Sequence, residues 1–270
     1  MALLTAIKSS YGGFKYQSDA MFYNSGFCVS SRSLLYFRVF ASIFHWLILI
    51  IRILEDERLS AFCYLTNIVY LCCALYYTMA AHNTINQPDR LIPLYHKLIP
   101  SSQVFRMDKV CYEEKGSSVV QFSCVLQWLL HSLVLNLSIL VSVMYFLLIY
   151  NPMTDVLGLT NISRHILNSV FILIEFTFNS IAVKFVHIIY GLVLSALYTV
   201  FTIVFYYIQS PPENYIYKIV NWDDPLKTGT LVGILMIFAI VLKALLVIAS
   251  RLKFRFLIPP RDTSEQTFLV

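Results

Sequence analysis

Six stretches of this chain are apolar enough and long enough to cross a lipid bilayer, and a chain so built has few folds open to it. In hydrocarbon every backbone amide must find its partner within the protein, so a span is either a helix or one strand of a closed barrel. The stretches run 34–54, 60–81, 118–150, 161–182, 185–208 and 228–250. Each is about 20 residues or more, the length of a spanning helix rather than of a barrel strand. Composition agrees: 58% of residues are hydrophobic and 13% charged, against about 25% charged in soluble domains. The expected fold is all-α, a polytopic six-helix transmembrane bundle. Residues 1–33 form a polar N-terminal tail, 34–250 the transmembrane domain and 251–270 a basic, then polar, C-terminal tail.

Lysine and arginine orient such a bundle, because they concentrate on the cytoplasmic side. With both termini inside, fourteen of the twenty fall on inner segments, five on outer segments, and Lys243 within a span. Both tails are therefore expected in the cytoplasm. The chain has no apolar leader ahead of Leu34, so the first span is expected to serve as the targeting signal. The plasma membrane and the endoplasmic reticulum both suit this arrangement.

Several function classes drop out. The net charge of +5 comes from basic residues at segment ends, without the aromatic-interleaved basic stretch of a nucleic-acid groove. No HExxH or clustered Cys/His set calls for a metal. No glycine-rich loop calls for a phosphate-bearing cofactor. The six cysteines include no CxxC pair and read as small apolar fillers. The partner that composition supports is the lipid bilayer; nothing in it names a protein partner.

The fourth stretch is unusual. Within 161–180, NISRHILNSVFILIEFTFNS, the residues His165, Asn168, Ser169 and Glu175 fall on one side of a helix. A mere anchor has no use for a polar stripe, and an ionisable group in hydrocarbon costs several kcal/mol, so this stripe faces protein or a water-filled cavity.

The same residues carry a resemblance. The order His165, Asn168-Ser169, Glu175, then His187 and Tyr190, then IYKIVNWDDP at 216–225, resembles the Rolling stone family of multi-pass membrane proteins. The match is best over 160–250, and it departs from the family pattern at Lys218 and Asn221. That resemblance implies a membrane protein with a part in myoblast fusion. A more distant similarity is to the androgen-inducible transmembrane threonine hydrolases. It rests on Tyr64-Leu65-Thr66 at the start of the second span and on His165 ten residues before Glu175. It implies a lipid-ester substrate, Thr66 as nucleophile and His165 as base.

Depth is consistent with that pair. Thr66 lies about 9 Å and His165 about 6 Å below the outer ends of their spans. In that arrangement Asp223 of the external loop is a candidate to orient the imidazole, and Asn67 and Arg164 are candidates to stabilise an oxyanion. Two readings remain open: a lipid-ester hydrolase, and a non-catalytic cell-surface or cell-fusion protein whose polar stripe only packs the bundle. Deeper down, Glu175 and Lys243 are an acid and a base about 21–23 Å from the outer surface. They are expected to pair and so to tie span four to span six.

Overall fold

The computed structural model describes residues 29–56, 62–86, 118–153, 158–210 and 215–256, with residues 118–121 as backbone only. Most of both tails and the connection at 87–117 lie outside the described residues. Those that are described are helical, with no strand among them.

Helix α1 spans Ser31–Asp56 and α2 Leu65–Ile85. Helix α3 spans Ser118–Met144 and closes in a wider π-type turn at Tyr145–Ile149. Helix α4 has three consecutive parts: Leu159–Ile162, a π-type turn at Ser163–Leu167, and Asn168–Phe178. A short 3-10 turn at Phe185–His187 leads into α5, Ile188–Ile208. Helix α6 is the longest, Pro225–Phe256. Its start follows from local chemistry. Asp224 accepts a bond from the Lys227 amide at 3.0 Å, and Pro225, which has no amide hydrogen to leave unsatisfied, takes the first helical position.

The segments Ser31–Glu55, Phe122–Ile149, Phe185–Ile208 and Pro225–Phe256 are long and apolar enough to cross a membrane. On α5 the outward stripe Val193, Leu197, Val200 and Val204 is 47–63% exposed. Such a stripe is stable against acyl chains and costly against water. Helices α2 and α4 do not stand out in this way. In α2 the polar residues Thr66, Asn67, Asn83 and Thr84 interrupt the apolar run, and all are buried. Helix α4 is broken by its π turn. It also ends at Phe178, short of the expected residue 182, because Asn179 turns the backbone into an extended conformation.

Side-chain pairs fix how the helices run. Arg38 meets Thr84, Ser42 meets Thr78, and His45 lies between Tyr77 and Tyr70. As α1 advances α2 retreats, so the two are antiparallel. Asn83–Gln127 and Cys73–Ser138 give the same relation for α2 and α3. His131–Asn179 and Tyr145–His165 give it for α3 and α4. Ser132 meets His187 while Asn136 lies under Gly191, so α3 and α5 are parallel. The core gathers on α2 and α3, where Val69, Tyr76, Tyr77, Val134, Leu135 and Leu137 are almost wholly buried.

Candidate functional site

The buried polar groups concentrate at two levels of the bundle. At the level of Glu175, Arg38 reaches across from α1. Its Nη2 donates to Glu175 Oε1 at 2.6 Å, and its Nε lies 3.0 and 3.3 Å from the two carboxylate oxygens. Both side chains are fully buried. The remaining lone pairs and protons are used as well. Arg38 Nη1 donates to Thr84 at 2.6 Å, Tyr76 donates to Glu175 at 2.9 Å, and the Asn179 amide approaches it at 3.5 Å. The fork-shaped guanidinium suits a carboxylate in this way, and a point-like ammonium does not.

The expected partnership of Glu175 with Lys243 is therefore corrected. Arg38 instead lies inside α1 and takes the carboxylate, while Lys243 Nζ is buried without a hydrogen-bond partner. A second lysine, Lys253, closes the end of α4. Its Nζ lies 2.6 Å from the Phe176 carbonyl and 3.1 Å from the Asn179 carbonyl, where the helix dipole is negative.

The other level is the opposite end of α2 and α4. These two run parallel: Asn67 lies against Arg164 and Tyr76 against Glu175. Arg164 donates from Nη1 to Asn67 at 3.0 Å and from Nε to the Thr160 carbonyl at 3.0 Å. His165 is nearly buried and lies flat on Tyr145, with ring centroids 3.5 Å apart. Its Nδ1 has no partner. It sits inside the π turn, a feature found disproportionately at functional sites. Thr66, one residue from Asn67, is buried, and Tyr217 packs edge-on against Tyr64 at 5.6 Å, where burial holds its phenol above the ordinary pKa. Tyr198 ties the same corner down, donating to the Cys63 carbonyl at 2.8 Å and accepting from the Leu65 amide at 3.2 Å.

Thr66, Asn67, Arg164 and His165 thus share one end of the bundle, yet no hydrogen bond joins Thr66 to His165. Asp223 is elsewhere. Its carboxylate accepts from the Tyr206 phenol, while its backbone amide donates to Asn221 Oδ1 at 3.0 Å, and the Tyr206 bond holds its carboxyl below the usual carboxylate range. Ser169 donates to the Ser138 carbonyl at 2.9 Å and shares a 2.6 Å bond with Ser142, so it pins α4 to α3. Asn168 is buried with neither amide atom bonded. Among the described residues no group of three or more His, Cys, Asp or Glu is placed to hold a metal.

The sequence reading missed Arg38, His45, Tyr70, Tyr77 and Lys253. A signal was present: Arg38 and His45 are seven apart on α1, and Tyr70, Tyr77 and Thr84 are seven apart on α2. Each set marks one helix face.

A family model described as Rost, Protein rolling stone, matches residues 4–258. The Drosophila melanogaster protein named Protein rolling stone is 28% identical over 116 residues, covering 41% of this chain and 42% of that protein. The aligned part is thus less than half of that relative's length. No solved structure matches the chain.

Proposed function

The chain belongs to the rolling stone family, and from that premise we propose that it is a six-span membrane protein with both termini cytoplasmic, in the plasma membrane or the endoplasmic reticulum, that hydrolyses lipid esters at the outer end of its bundle. Thr66 is the nucleophile and His165 the base. The observation that carries this reading is the His165 imidazole: nearly buried, held flat by Tyr145, and with Nδ1 unpartnered beside Arg164 and the Thr66 turn. A buried ring nitrogen without a partner is uncommon and calls for an explanation.

The reaction follows from these groups. Thr66 Oγ attacks the ester carbonyl carbon while His165 takes its proton. Arg164, braced by Asn67, faces the developing oxyanion. The carbonyl re-forms, the alcohol leaves with the proton from His165, and an acyl-threonine remains. Water, deprotonated by His165, then releases the carboxylic acid and restores Thr66. No hydrogen bond joins Thr66 to His165, and catalytic hydrogen bonds commonly tighten only once substrate is bound. Ester substrate reaches this level from the bilayer.

The test is labelling of the solubilised full-length protein with a fluorophosphonate, alongside turnover of a long-chain lipid ester. Wild type should label and turn over; Thr66→Ala should lose both, and His165→Ala should lose at least about 100-fold in rate, the contribution of a general base. Labelling or turnover that survives Thr66→Ala would overturn the assignment, and a wild type with neither would leave the non-catalytic membrane role in its place.

A further inference from the structure

One helical turn below Thr66 and His165, a second set of buried polar groups converges without bonding. Tyr70 is four residues beyond Thr66, and Asn168 three beyond His165, so both continue the faces that carry the proposed pair. Between them His45 enters from α1. Its ring lies 4.8 Å from the Tyr70 ring and 5.0 Å from the Tyr77 ring. His45, Tyr70 and Tyr77 are 0% exposed and Asn168 1%. His45 Nε2, both tyrosine hydroxyls and both atoms of the Asn168 amide have no hydrogen-bond partner. Asn168 also neighbours Cys73, whose Sγ is 3.2 Å from the Ser138 hydroxyl.

The chemistry of this cluster can be read atom by atom. His45 Nδ1 lies 2.7 Å from the Ala41 carbonyl. A carbonyl only accepts, so Nδ1 carries the hydrogen and Nε2 of the neutral ring is an acceptor, on the side of the ring away from that bond. The two phenols each donate and accept, and the amide does both. The cluster therefore offers acceptors and donors in balance and no charge of its own. The nearby arginines are committed elsewhere, Arg38 to Glu175 and Arg164 to Asn67. On the lipid side, Phe40, Phe44 and Phe171 fill the seam between α1 and α4, with centroid separations of 5.2 to 6.2 Å. Two of these contacts are edge to face and Phe40–Phe44 is stacked, an apolar closure that an acyl chain can replace without exposing polar surface.

We propose that the His45–Tyr70–Tyr77–Asn168 cluster binds the neutral, hydroxyl- and carbonyl-bearing head of a glyceride lipid that enters between α1 and α4. The hydroxyl donates to His45 Nε2 and the tyrosine hydroxyls donate to the carbonyl. A fatty-acid carboxylate is disfavoured because it cannot donate to His45 Nε2, and a choline head because no carboxylate faces the cluster. Binding here extends the proposed hydrolytic site downward but does not require hydrolysis, so the two are measured separately.

The experiment uses the full-length protein in nanodiscs and in the Thr66→Ala background, where an ester is not consumed. Binding of 1-oleoylglycerol is read by native mass spectrometry and by its effect on thermal unfolding, with oleic acid and oleoyl lysophosphatidylcholine as comparisons. The glyceride should bind and raise the unfolding temperature, and the other two should do so less. His45→Phe and the pair Tyr70→Phe with Tyr77→Phe should each weaken glyceride binding about tenfold or more, the loss of one well-made bond. The paired tyrosine variant should be as stable as wild type without lipid, since an unpartnered buried group replaced by a similar apolar one relieves a cost; His45→Phe also gives up the Nδ1 bond to the Ala41 carbonyl, so the control on folding rests on the tyrosine pair. That readout separates a lost site from a lost fold. Equal binding of all three lipids, glyceride binding that the variants leave unchanged, or water alone at the cluster would overturn the proposal. Wild-type turnover without glyceride binding would sink this site and leave the hydrolase reading; binding without turnover would do the reverse.

Discussion

Arg38 and Glu175 show how a charge survives at the centre of a bilayer protein. Each would be costly alone, and their forked contact with Thr84 and Tyr76 at hand leaves few unmet lone pairs. Breaking such a pair leaves one buried charge uncompensated. Arg38→Met or Glu175→Gln should each destabilise the protein by about 3–5 kcal/mol, and the double replacement Arg38→Met with Glu175→Gln should recover part of it. Thermal unfolding in detergent measures all three; simple addition of the two losses would show no coupling. Lys243 makes the contrast. Its ammonium nitrogen is buried with no partner, so Lys243→Met should leave stability unchanged or raise it. A loss as large as that of Glu175→Gln would restore the pairing first expected from depth alone. Depth was legible in the sequence, because rise per residue is fixed. Azimuth was not: which base a carboxylate meets depends on how α1 is rotated, and the sequence alone does not show that Arg38, four residues inside the first span, turns toward α4.

Helix α6 carries the matching lesson for elements. A basic run after an apolar one normally marks the interface, and RLKFRF at 251–256 places the end of the sixth stretch at 250. The helix continues to Phe256 because Leu246, Ser250 and Lys253 keep one buried face at steps of four and three. Ser250 accepts from the Val183 amide at 3.1 Å, and Lys253 caps the carbonyls at the end of α4. Lys253→Met removes those donors and should cost about 2–3 kcal/mol, with Lys253→Arg restoring part of it, since hydrogen bonds from a charged donor are worth about 1.5–3 kcal/mol. Hydrogen exchange at 176–184 should accelerate in Lys253→Met; unchanged exchange would mean the cap is dispensable. Helices α2 and α4 are the reverse case. Their apolar stretches were visible, but the 3-10 turn before α2, the π turn around His165 and the early stop at Asn179 were not. A π turn adds one residue to a helical turn without a composition that announces it.

At the scale of the molecule, four helices among the described residues are apolar enough to cross a membrane on their own, and the six-span reading asks α2 and α4 to cross with them. The argument for it is packing. Helix α2 is enclosed by α1, α3 and α4, so its asparagines and threonines meet protein and need no lipid-facing apolar surface. Helix α4, from Leu159 to Phe178, is about 30 Å long, the thickness of the hydrocarbon core. Its pairs with α3 run the length of both, from Tyr145–His165 to His131–Asn179. The antiparallel sequence α1, α2, α3, α4 then follows from contacts alone. The number of spans cannot be tested at the termini, because four and six spans both return the C-terminus to the side of the N-terminus. Asn151 separates them. It follows α3, and with six spans it lies on the side of Asp223; with four spans, α2 and α4 not crossing, it lies on the side of Lys184. Single cysteines at 151, 184 and 223, in a chain otherwise free of cysteine, should show this with an impermeant maleimide on sealed vesicles. Positions 151 and 223 should label together and 184 only from the opposite face. Labelling of 151 together with 184 would reduce the bundle to four spans and take Thr66 and His165 out of a shared outer leaflet.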